Sequence, residues 1–135
     1  MAVKTPPAGG IGFALMSVPG AQPESCIALL LDAIGLDRYL EHADLLITGE
    51  GRIDAQTGHG KAPNGVAQRA RHSGVPVIAL AGSVPATAPP PGSPFDVWFS
   101  VLPGSVPLPT AMASTAAYLT TGSEHIMRLL ASRIR

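Results

Sequence analysis

Residues Asp44 to Gly82, DLLITGEGRIDAQTGHGKAPNGVAQRARHSGVPVIALAG, decide the fold. Asp44 to Thr48 (DLLIT) is a short apolar run closed by Gly49, and Val75 to Ala81 (VPVIALA) is a second, closed by Gly82. Short runs without polar alternation fit parallel strands buried on both faces. Between them NGVAQRARHSG has helical spacing, with Val66, Ala67 and Ala70 on one side, Pro63 at its start and Gly74 at its end. Strand, loop, helix and strand in succession make a βαβ unit, whose crossover is right-handed in nearly all proteins.

Working outward, PESCIALLLDAIG from Pro23 predicts a helix with Glu24 in its first turn, Cys26 in its apolar core and Gly35 as its stop, and LDRYLEHA adds a helical turn. Further upstream, GGIGFALMSV (Gly9 to Val18) predicts a short helix of small and apolar residues ended by Pro19 and Gly20. Downstream, PATAPPPGSP (Pro85 to Pro94) cannot sustain a central ladder and predicts an irregular connection. Asp96 to Val101 (DVWFSV) predicts a third strand, in which Trp98 and Phe99 face opposite sides and only one can join the core. Thr110 to Arg133 predicts a long helix burying Ala113, Ala116, Ala117, Leu119, Ile126, Leu129 and Leu130 as one stripe. The expected fold class is α/β, a small mostly parallel sheet flanked by helices in Rossmann-like or flavodoxin-like layers.

Composition narrows the function classes. With 135 residues, one domain is the default. Nine basic and nine acidic residues balance, which argues against a nucleic-acid partner. The lone Cys26 can form neither an internal disulfide nor a cysteine-rich metal site. Lys4 and the apolar run Ile11 to Val18 imitate a signal peptide poorly, because Pro6, Pro7 and Gly12 interrupt the pattern. Asp32 breaks the best membrane-helix candidate, so the expectation is a cytoplasmic protein without a membrane partner.

The chemistry concentrates between Gly49 and Lys61. Glu50, Arg52, Asp54, Gln56, Thr57, His59 and Lys61 stand there among Gly49, Gly51, Gly58 and Gly60. A loop at the carboxyl end of a parallel strand is where α/β sheets place ligands. Glycines admit an anion to backbone N–H groups, Arg52 and Lys61 can neutralise phosphate, and Glu50 and Asp54 can hold a hard cation or accept a proton. Two generic patterns fail. The Walker pattern needs glycine where Ala55 stands and Ser or Thr where Ala62 stands, and the dinucleotide pattern needs glycine at Asp54. On chemistry alone, a solvated turn whose charges pair with one another competes with a site.

ADLLITGEGRIDAQTGHGKAPNGVAQRA (Ala43 to Ala70) with GVPVIALAGSV (Gly74 to Val84) resembles the signature region of the bacterial glycerate kinase family. The likeness extends through AGGIGFALM (Ala8 to Met16), LLDAIGLDRYLEHA (Leu30 to Ala43) and FDVWFSVLPG (Phe95 to Gly104). It implies residues 1–7 as a non-matching extension and 8–135 as one α/β domain similar to the C-terminal portion of longer, two-domain enzymes. It also implies phosphoryl transfer from ATP to glycerate with Mg2+, and a complementing N-terminal half or a homo-oligomer. Carried onto this sequence, Asp54 and Lys61 are the catalytic candidates. Gly49, Gly51, Arg52, Gln56, Thr57 and Gly60 are substrate or phosphate ligands, and Glu50 with Asp54 are metal ligands. Each has a plainer alternative: Arg52 paired with Glu50 or Asp54, Asp54 in an Asx turn, Gln56 and Thr57 capping the loop, Lys61 solvated. The whole chain has one too, as a non-catalytic anion-binding or self-associating remnant of the family. His42, His72 and His125 lack ligand spacing and are expected at the surface.

Overall fold

A computed structural model describes residues 25–54 and 61–132. The elements are α1 (Cys26–Ile34), α2 (Leu36–Leu40), β1 (Leu46–Arg52), α3 (Ala62–His72), β2 (Val77–Ser83), β3 (Val97–Ser100), α4 (Leu108–Ala113) and α5 (Thr115–Ser132). The predicted helix over Gly9 to Val18 and Glu24 lie outside the described residues. The strands form one parallel sheet in the order β1-β2-β3, as the α/β reading requires.

Each strand sits slightly off its expected position. β1 starts two residues after Asp44 and runs through Gly49, Glu50 and Gly51 to Arg52, and β2 runs through Gly82 to Ser83. Glycine lacks a side chain to pack but keeps both ladder groups, so a run of glycines does not by itself end a strand. Gly49 in fact lets the strands close up, since a Cβ added there would collide with the Leu80 carbonyl oxygen. The ladder continues past the last rung through Ile53 N–H to Ser83 O at 2.9 Å.

β2 is central, with both edges paired, and its first five residues are buried, so both its faces are covered there. Val77, Ala79 and Ala81 face α3 and join Leu40, Ile53, Ala67, Ala70, Val75 and Phe95 in the main core. Ile78 and Leu80 face the other way and meet Ile126 of α5. Gly35 ends α1 in the left-handed conformation, φ 66°, which glycine adopts without a Cβ penalty. Arg69 of α3 reaches Asp37 at 2.7 Å and also bonds Asp32, tying three helices together. The hydrogen bond that Arg69 donates to Asp32, ahead of the field of Asp32 and Asp37, holds that guanidinium above its ordinary pKa, so it is charged at any working pH.

Three expectations are corrected. Cys26 is exposed at the first position of α1 rather than buried. The C-terminal helix is two helices, broken at Ser114, where the Thr115 hydroxyl bonds the Ala111 carbonyl at 2.9 Å. Its predicted buried stripe is mostly exposed: only Ile126 is buried, while Ala113, Ala116, Ala117, Leu119, Leu129 and Leu130 face solvent. Periodicity identifies an apolar side, but a three-stranded sheet presents too little surface to cover all of it. Of the adjacent aromatic pair, Trp98 packs on the main core and Phe99 on the opposite face is 45% exposed. His42, His72 and His125 are exposed, as expected.

Candidate functional site

Alternation along β1 sets the site. Leu46 faces the α3 side, so Glu50, paired with Ala81, and Arg52, paired with Ser83, project to that side at the carboxyl end of the sheet. The same side receives the N-terminus of α3, where Lys61 is the N-cap residue with extended backbone and Pro63 stands in the first turn. Lys61 Nζ lies 3.7 Å from Glu50 Oε2, with the carboxylate side chain only 17% exposed. Glu50 Oε1 is buried without a hydrogen-bond partner among the described residues. Leaving a charged oxygen unsatisfied costs more than the roughly 1–3 kcal/mol of a neutral group. The helix N-terminus and Lys61 offset part of that cost, and a cation or donor on Oε1 would offset the rest.

Arg52 Nε stands 3.9 Å from Asp54 Oδ2, and the arginine side chain is 74% exposed. A pair so long and so exposed contributes little to stability, which leaves the guanidinium available to an incoming anion. The plainer pairing of Arg52 with Asp54 therefore exists, but loosely. Gln56, Thr57 and Gly60 lie outside the described residues.

Gly49 and Gly51 point to the opposite face. There they adjoin a cavity of about 1080 Å³ between the strand ends and α4–α5, with Gly82 beside them. A side chain at Gly51 would meet open space, so its backbone is accessible to a ligand. A second cleft, of about 690 Å³, opens on the α3 side between Arg52, Asp54 and the proline-rich connection. Two of its walls are not site candidates on sequence grounds, Asn64 and Trp98. Asn64 is 4% exposed, and its spacing of three from Ala67 on a helix was the available signal that it lies on the buried face.

Among the described residues no three His, Cys, Asp or Glu side chains gather as a metal cage. Mg2+ keeps water and takes one or two carboxylates plus substrate phosphates. Glu50, with its orphaned oxygen, and Asp54 are hard oxygen donors of the required kind. Titration with inorganic phosphate is expected to shift the amides of Gly49 to Arg52 and of Lys61 ahead of all others in an NMR spectrum. Shifts confined to other segments would remove the anion site.

The comparisons with known proteins bear on the family and the fold. The sequence profile of the Glycerate kinase family matches residues 5–131. The chain is 42% identical over 113 residues to the glycerate kinase of Bacillus subtilis (strain 168), covering 83% of this chain and 30% of that protein. Over 77 residues it is 48% identical to the glycerate 2-kinase of Escherichia coli (strain K12), covering 57% of this chain and 20% of that one. A crystal structure of a protein taken to be glycerate kinase 2 from Salmonella typhimurium LT2 superposes with a TM-score of 0.66 at 40% identity, over 92% of this chain and 32% of that one. The chain thus spans about a third or less of the length of these relatives, as a resemblance confined to one portion of the family requires. A parallel sheet with its charges at the carboxyl edge, matched in sequence over nearly its whole length, places this chain in the glycerate kinase family.

Proposed function

We propose that this chain forms one wall of a site that transfers the terminal phosphoryl group of ATP to a hydroxyl of glycerate. The observation that carries the reading is the half-buried Glu50 carboxylate, held at the strand terminus opposite Lys61 with its buried Oε1 unpartnered among the described residues. Mg2+, when bound, would neutralise phosphate charge there, and Glu50 and Asp54 are the residues to hold it. Lys61 and Arg52 draw the anionic substrates to the strand end, and Lys61 does so from the positive end of α3. Asp54 accepts the proton of the attacking hydroxyl as its oxygen bonds to phosphorus and the bond to ADP breaks.

The rest of the site comes from chain beyond this segment's counterpart in the relatives, which are about three times as long. Exposed Val97 and Phe99 on β3 and exposed Leu129 and Leu130 on α5 are the apolar surface offered to such a partner or to a second copy. The test mixes this chain with Bacillus subtilis glycerate kinase lacking its 113 matching residues and measures ADP release from ATP and glycerate. Glycerate-dependent release is expected only from the mixture, and Glu50→Gln is expected to lower it about 10²-fold, as loss of one preorganised electrostatic partner does elsewhere. A mixture that binds phosphate at Gly49 to Lys61 yet never releases ADP would favour the anion-binding remnant instead.

A further inference from the structure

We infer that the cleft between β1, β3 and the proline-rich connection is a pocket for the purine base of the nucleotide. This rests on the phosphoryl-transfer reading and assigns to that site a place for the donor's far end. Parallel neighbours are usually joined by a crossover helix that covers the sheet. Here β2 and β3 are joined by residues 84–96 without a helix, so the sheet face beside β3 is bordered by prolines and stays open. The connection is nevertheless fixed. Trp98 Nε1–H donates to the Thr87 carbonyl at 2.9 Å, Arg71 Nη1 donates to the Ser93 carbonyl at 2.6 Å, and Phe95 is buried beneath it.

The resulting volume of about 690 Å³ lies within the roughly 300–1,000 Å³ of small-molecule pockets. Its chemistry is graded along the strands. At the strand ends stand Arg52, Asp54 and Ser83, and deeper along the sheet the walls are Trp98, Phe95 and prolines. Arg52 is level with Ser83, and Trp98 with Ala79, four residues back along β2. At ~3.3 Å per residue that sets Trp98 about 13 Å back from Arg52 along the strand direction, with β2 between them, on the scale separating the base of an extended nucleotide from its last phosphate. A glycerate molecule is too small and too polar to use apolar aromatic and proline walls. A flat base with polar edges uses both them and the polar groups beside them.

Trp98 is the chain's one tryptophan, so its emission reports on this cleft directly. Adenosine and ADP added to the full chain are expected to change Trp98 fluorescence saturably, and inorganic phosphate is expected not to. Thr87→Phe fills the cleft from an exposed position and keeps the backbone carbonyl that Trp98 uses. It is expected to weaken the adenosine response about tenfold or more with circular dichroism unchanged. An adenosine response that never saturates, or one equal in the folded Thr87→Phe variant, overturns the pocket. If phosphate still shifts the amides of Gly49 to Arg52 in that case, only the base pocket fails and the anion site stands. Saturable adenosine binding without any phosphate response would support the pocket while removing the anion site.

Discussion

Gly49→Ala is expected to be among the most damaging single-methyl additions in this chain, lowering unfolding free energy by about 3 kcal/mol or more, at the upper end of overpacking costs. The methyl would be driven into the Leu80 carbonyl oxygen, a backbone atom of the central strand that cannot rotate away. Relief requires β1 to move off β2, and the pairs from Leu46 with Val77 to Arg52 with Ser83 all lie on that ladder. Gly51, two residues on and on the same face, supplies the control. An added methyl there meets nothing within 4 Å, and its φ is not in the left-handed region. Gly51→Ala should therefore be neutral or stabilising by a few tenths to about 1 kcal/mol, through the lower entropy of the unfolded chain. Urea titration of the two variants beside the parent decides the matter. Equal midpoints for both would mean that β1 has slack at Gly49.

The contrast between these glycines shows what the sequence could reveal. Both stand in the string TGEGR, and nothing local distinguishes the one pressed against β2 from the one facing open space. The βαβ unit itself was legible because its signals are local: two uninterrupted apolar runs, a helical repeat, Pro63 and Gly74. Strand ends were less legible, because glycine signals loops statistically yet remains able to pair, and β1 and β2 continue through theirs. The stripe on α5 failed for a different reason. Its apolar spacing is real, but burial depends on a surface opposite, and only Ile126 finds one.

The site divides along the same line. Glu50, Arg52, Asp54 and Lys61 could be picked out by residue type and by their place after a parallel strand, and the fold brings Glu50 to Lys61 and Arg52 to Asp54. The clefts could not be found this way. Asn64, Ser83 and Trp98 come from three separate elements, and only the register of the sheet and the course of the proline-rich connection put them around one volume.

That division bears on catalysis by the chain alone, whose turnover of ATP and glycerate is expected to fall at least about 10⁵-fold below the roughly 1–100 s⁻¹ usual for kinases. Phosphoryl transfer draws its acceleration from positioning, which can supply about 7–11 kcal/mol, and from fixed charges in a site closed to water. Here Arg52 is 74% and Lys61 44% exposed. Charges so wet interact at close to the dielectric of water, where a contact at 4 Å is worth about 1 kcal/mol, rather than the several it reaches when water is excluded. Two such side chains can attract substrates without aligning them. Adding the truncated Bacillus subtilis enzyme should restore glycerate-dependent ADP release. Phe99→Asp, which places a charge two strands across from β1 and on the face opposite Arg52 and Lys61, should abolish that rescue while leaving phosphate-induced shifts at Arg52 and Lys61 intact. Kinase-level turnover by the purified chain alone would show that these residues close their own site. Rescue indifferent to Phe99→Asp would mean that the partner seats on another face.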